Sequence, residues 1–111
     1  MTLTEKTKIV RDALNTTSGP VYHFRKDMTA GNRYIVWQED SDDGTHYANN
    51  RRSERQLHGT IDLFTLSEYD ELIDQIETAL DTASRVSFRL NSVQYEDDTN
   101  LIHYEWEFWV A

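Results

Sequence analysis

"HGTIDLFTLSEYDELIDQIETAL", His58 to Leu80, decides the fold because its hydrophobic period changes midway. Up to Leu66, apolar and polar residues roughly alternate, the two-residue period of a strand with one covered face. From Tyr69 on, apolar residues recur every three or four positions, the period of a helix. The stretch predicts a strand over about residues 56–65, then a helix with Ser67 as its N-cap and an end near Thr82–Ser84. Tyr69, Leu72, Ile73, Ile76, Ala79 and Leu80 form the stripe expected to be buried. Gly59 inside the strand marks a bulge or a close backbone approach.

The second part of this stretch, continued by one residue to Asp81, carries six carboxylates and no Lys or Arg. Glu68, Asp70 and Glu71 fall in the first turn, where the helix dipole favours anions. At about 100° per residue, Asp70, Asp74, Glu77 and Asp81 stack into a band about 60° wide that flanks the apolar face. Like charges four residues apart repel by a few tenths of a kcal/mol. Either the band is a solvated face, or it meets a basic surface or bound cations. The chain itself offers a basic set in Lys6, Lys8, Arg11, Arg51, Arg52 and Arg55. Residues 1–55 hold nine Lys/Arg against eight Asp/Glu, a balance of +1; residues 56–111 hold two against twelve, a balance of −10. A chain divided in this way suits head-to-tail contact between copies, and such contacts close into rings. The candidate interface residues are therefore Asp70, Asp74, Glu77 and Asp81 on one side and Arg51, Arg52 and Arg55 on the other.

Outward from the central stretch, residues 3–16 read as a helix. Thr2 and Glu5 have capping-box spacing, and Ile9, Val10, Ala13 and Leu14 make its apolar stripe. "TTSGP" (16–20) ends it. "VYHFR" (21–25) and "RYIVWQE" (33–39) read as strands, the second apolar on both faces and so expected to be central or covered. "DSDDG" (40–44) reads as a turn and "THYAN" (45–49) as a short edge strand. The C-terminal segment is a hairpin around "EDDTN" (96–100). Val86, Phe88 and Leu90 alternate, and the pattern resumes on odd positions at Val93 and Tyr95, which places a bulge at Asn91–Ser92. Ile102, Tyr104, Trp106, Phe108 and Val110 face one way; His103, Glu105 and Glu107 face the other. The order is α-β-β-(β)-β-α-β-β, a single α+β domain over residues 1–111 with a mostly antiparallel sheet and two helices on one face.

Composition narrows the chemistry. The chain has 111 residues, 38% of them hydrophobic and 12% aromatic, enough for one modest core. No apolar run approaches the roughly 20 residues of a membrane span, and the opening residues lack a signal-peptide layout. With no cysteine, disulfides and thiolate zinc sites are excluded, and a reducing, cytoplasmic site of synthesis is expected. A net charge of −9, with "RRSER" as the basic cluster, tells against tight nucleic-acid binding without excluding DNA that passes nearby. The spacing of His23, His46, His58 and His103 matches no ligand motif. Asp40, Asp42 and Asp43 resemble a hydrolytic carboxylate set only loosely, because an Asp-rich turn is usually solvated. As a calcium loop the same segment lacks the sixth-position Gly and has Arg51 where the twelfth-position Glu belongs. There is no glycine-rich phosphate loop and no G-x-S-x-G. No catalytic residue, metal or cofactor is expected.

The ordered runs "YIVWQED" (34–40), "YANN" (47–50), "QLHGTIDLFTLSEYDELIDQIETAL" (56–80) and "FRLNSVQYEDDTNLIHYEWEF" (88–108) resemble a family of small proteins of long-tailed phages and prophages of Gram-positive bacteria. These are the tail-completion proteins, also described as tail terminator or head-to-tail joining proteins. The resemblance spans roughly residues 21–109 and rests on the order of the runs rather than on a chemical motif. It implies an α+β fold with a curved sheet and a non-enzymatic virion protein at the head-proximal end of the tail, assembled in the host cytoplasm. Its partners would be further copies of itself in a ring, commonly a hexamer, together with the tail tube protein and the head connector protein. DNA would pass through without specific binding, and no membrane is involved. An acidic lumen would repel phosphates, the inverse of what a DNA binder needs. Two other readings predict different behaviour. An acidic DNA-mimicking module of a prophage would work as a monomer or dimer with its acidic band exposed. A small hydrolase would need a concave site with strongly perturbed carboxylates. A different connector or minor capsid role stays within the virion class.

Overall fold

The structure, a computed structural model, describes residues 1–42 and 55–111. Helix α1 (Leu3–Leu14) begins at the expected capping box: the Glu5 N–H donates to Thr2 Oγ1 at 3.1 Å, and the Thr2 N–H donates to Glu5 Oε1 at 2.8 Å. At its other end the hydroxyls of Thr16 and Thr17 donate to the carbonyls of Ala13 and Leu14, at 2.6 and 2.7 Å, which occupies acceptors left open by the helix. The chain continues through β1 (Val21–His23), β2 (Tyr34–Asp42), β3 (Leu57–Thr65), α2 (Glu71–Thr82), β4 (Val86–Glu96) and β5 (Leu101–Val110).

The five strands form one open sheet in the order β1-β2-β3-β5-β4. β1 runs parallel to β2, and the remaining pairs are antiparallel. The expected α+β class, with a mostly antiparallel sheet, is therefore the observed one. Strand registry explains why one face is dry. Ile35 pairs with Leu63 and Trp37 with Ile61, while Ile61 pairs with Trp106 and Leu57 with Val110. These side chains share a face and bury against Val10 and Leu14 of α1 and Leu72, Ile76 and Leu80 of α2. Gly59 lies among them, opposite Glu39 and Phe108. A Cβ there would sit 2.2 Å from the Gln38 carbonyl oxygen and 2.4 Å from the Phe108 ring, so the close approach is real. β4 shifts register between Leu90 and Ser92, at the expected bulge.

Three expectations need correction. "DSDDG" does not turn at its start: β2 continues to Asp42, with Ser41 and Asp42 paired to His58 and Leu57 after a bulge at Asp40. Its last two residues, Asp43 and Gly44, lie outside the described residues, as does the expected edge strand "THYAN". The N-cap of α2 is Asp70, not Ser67. Tyr69 is not in the buried stripe. Its backbone is left-handed, with φ 59°, and its side chain is 91% exposed. Both changes share one cause: the Asp70 carboxylate binds groups from two other segments, at Arg33 and Thr65, as well as the Leu72 N–H of its own helix, and this fixes where the helix can begin. Among the described residues, no helix is long and apolar enough to cross a membrane.

Candidate functional site

The acidic band of α2 is split by its surroundings. Asp70 is only 7% exposed. Its carboxylate accepts from Arg33 Nε and Nη2 (2.8 Å each), from Thr65 Oγ1 (2.6 Å) and from the Leu72 N–H (2.9 Å). The Arg33 guanidinium, with Thr65 and Leu72, outweighs burial and holds this carboxyl far below the usual range, while Asp70 raises Arg33 in return. Glu77 is also engaged internally, because its Oε2 accepts the indole N–H of fully buried Trp106 at 2.9 Å. Asp74 and Asp81 make no ion pair or hydrogen bond among the described residues and point outward. Asp74 and Asp12 stand on the rim of a groove of about 770 Å³ between α1 and α2, whose apolar lining includes Ile9, Ala13, Ala79 and Ala83.

The basic candidates divide in the same way. Lys6 is buried, and its Nζ donates to the Arg55 carbonyl at 2.7 Å. Burial, with the nearby Arg85 and Arg55, pulls its pKa below the ordinary lysine value. Arg11 pairs with Asp12, and Arg55 pairs with Asp42, each at 2.9 Å. Lys8 is exposed. Arg51 and Arg52 lie outside the described residues. Outside this set, the β1–β2 connection presents Arg25 and Lys26 beside two exposed apolar side chains, Phe24 and Met28.

The sheet face away from the helices holds an arrangement that sequence reasoning found only in part. His103 Nε2 lies 2.6 Å from Asp62 Oδ1, with Glu96 4.0 Å from its other ring nitrogen. His58 Nδ1 lies 2.6 Å from Asp40 Oδ1, and its Nε2 lies 3.5 Å from Glu107. Arg89 Nε donates to the other oxygen of Glu107 at 2.8 Å, and Asn91 donates to Glu105 at 2.7 Å. The Asp62 bond raises the His103 pKa against the effect of burial. For His58, burial is the largest single influence, but Asp40 and Glu107 together outweigh it and raise the pKa. Asp62, His103 and Glu105 place one ligand atom each within 4.8 Å of one another. Alternation had put His103, Glu105 and Glu107 on one face. Their partners Asp62, Asp40 and His58 become visible only with the registry between distant strands. His23 lies apart, stacked 4.0 Å from Phe24 and 4.0 Å from Trp37, and His46 lies outside the described residues. No family model matches the chain, and comparison with curated proteins finds no match.

Proposed function

We propose that the chain is a non-enzymatic subunit of the tail-completion type. It would assemble as a ring of hexameric symmetry at the head-proximal end of a phage tail. There it would cap the tube protein and join the head connector while DNA passes through. The observation that supports this reading is the outward, unpaired carboxylate of Asp74 on the rim of the apolar groove between α1 and α2, with Asp81 exposed further along the same helix. Apolar lining with unpaired charge on its rim is the composition of a protein contact, where burial supplies affinity and charge sets orientation. The connection bearing Arg25, Lys26 and exposed Met28 offers the opposite sign around an apolar knob, which suits a head-to-tail contact between copies. The ordered sequence runs that resemble tail-completion proteins point the same way.

The test is deletion of the gene from the phage or prophage that encodes it, followed by electron microscopy of the particles. The expected result is free heads with tail tubes of irregular length. Tails of normal length detached from heads would transfer the role to head closure. Complete virions would overturn the virion reading and favour an acidic DNA mimic, which acts away from the particle.

A further inference from the structure

Among the described residues, β4 is an outer strand of the sheet, paired with β5 on one side only. It is eleven residues long, whereas β1 at the opposite edge has three. Long apolar edge strands are templates for pairing, and proteins normally blunt them with charge, proline or a covering segment. β4 has no proline and two charged residues, Arg89 and Glu96, and Arg89 is tied across the sheet to Glu107. Leu90, Val93 and Tyr95 are 44%, 49% and 59% exposed. Among the described residues, the other exposed large hydrophobics lie in a helix, in connections or at the N-terminus, so β4 concentrates those that belong to the described strands.

The registry to β5 assigns each side chain a face. Val86, Phe88 and Leu90 share the helix side with Val110, Phe108 and Trp106; after the bulge, Val93 and Tyr95 continue on that side. Ser87, Arg89, Ser92, Gln94 and Glu96 take the opposite side, and Asn91 reaches it too by donating to Glu105. An antiparallel pairing of β4 with itself is therefore constrained. With Leu90 opposite Val93 of a second copy, Phe88 meets Tyr95, Arg89 meets Gln94, Asn91 meets Ser92 and Ser87 meets Glu96. From Ser87 to Glu96 every apolar residue then meets an apolar one on the helix side, every polar residue meets a polar one, and no like charges oppose; Val86 falls beyond the paired segment. A slip by one residue would set Leu90 against Gln94 or Ser92, on the wrong face.

We propose that the free protein dimerises through β4, about a two-fold axis between Asn91 and Ser92, joining two sheets into one of ten strands. The contact is isologous and closes at two copies, so it neither uses the α1–α2 groove nor rests on the tail-completion reading. Sedimentation over a wide concentration range at about 1 M salt, where a contact set by charge is screened, combined with cysteine cross-linking, tests it. The chain has no cysteine of its own, so a Leu90→Cys, Val93→Cys variant reports the register cleanly. Expected are a wild-type dimer, at least tenfold weaker association in Val93→Lys, and a disulfide-linked dimer of the double-cysteine variant on a non-reducing gel. The off-register pair Leu90→Cys, Gln94→Cys should cross-link poorly. A wild-type monomer at every concentration would overturn the proposal and leave the edge to a different strand-bearing partner. Any larger species that gives no Leu90→Cys, Val93→Cys cross-link would overturn it as well. Normal or defective tails in the deletion experiment bear only on the tail reading, so the two can fail separately.

Discussion

Asp70 ties α2 to the rest of the chain through four hydrogen bonds, two from Arg33, one from Thr65 and one from the helix itself. Replacing it with Ala removes an N-cap, about 1 kcal/mol, and breaks a largely buried ion pair, which costs about 3–5 kcal/mol when both partners are enclosed. The Arg33 side chain is 41% exposed and keeps water, so the lower part of that range applies. Asp70→Ala should lose about 3 kcal/mol, read as a lower urea midpoint, and Asp70→Asn, which keeps a cap, should lose less. Equal losses would mean that the charge accounts for the whole effect and the cap for none, whereas an unchanged midpoint in Asp70→Asn would show that the charge on Asp70 is unimportant. Because the Asp70 pKa is depressed, its contribution is present above the ordinary carboxylate pKa of about 3.9 and is lost as pH falls through the acid range. His103 has the opposite sign. Its raised pKa gives a contribution present below about pH 6.5 and lost as pH rises through the folded value. Urea midpoints should therefore fall between about pH 6 and pH 9 in the wild type, and less so in His103→Asn. Parallel pH profiles would show that the Asp62 pair is energetically silent. Local pattern could not choose between Ser67 and Asp70 as caps, since the deciding partner, Arg33, lies 37 residues away from Asp70.

Elements whose signal is periodic were legible from sequence, and those that depend on a neighbour were not. α2 shows a helical period and an end near Thr82, β3 alternates buried and half-buried positions throughout, and the bulge in β4 appears as a change of parity. β2 outran its expected end because Leu57 and His58 supply partners for Asp42 and Ser41, and an Asp-rich run has no way to announce them. The acidic band was legible as a pattern, but two of its four members, Asp70 and Glu77, are taken by Arg33 and Trp106, which the helix period cannot show. Gly59 is the glycine whose role could be read in advance and then measured. A methyl group there meets the Gln38 carbonyl, which is backbone, and the Phe108 ring, which is fully buried. Neither can swing aside without moving β2 or β5. Gly59→Ala should cost about 3 kcal/mol, the upper end for overpacking. Its melting temperature should fall by roughly 10 °C or more. An unchanged melting temperature would show that these strands separate freely.

At the scale of the whole molecule, the question is where the charge of the second half goes. Asp74 and Asp81 stay outward and unpaired among the described residues, and α2 has no basic residue in its last turn to offset its dipole. Within one subunit that is mildly unfavourable. Asp74→Lys with Asp81→Lys should leave the isolated fold as stable, or more stable by a few tenths of a kcal/mol, because repulsion with Glu77 becomes attraction and Lys suits a helix C-terminus. If the band meets the Arg25–Lys26 connection of the next copy, the same change places like charges across the contact and opposes assembly. Light-scattering mass after size exclusion separates the two effects. At low salt the wild type should form a species well above the β4 dimer, built on closed head-to-tail rings of about six copies. That species should shrink at high salt, where the screening length falls from about 10 Å at 0.1 M to about 3 Å at 1 M. The double-lysine variant should stay small at any salt while melting no earlier than the wild type. A ring that forms equally well in both proteins and at both salts would remove the acidic band from the contact, and its lumen-facing role would then be the one to test.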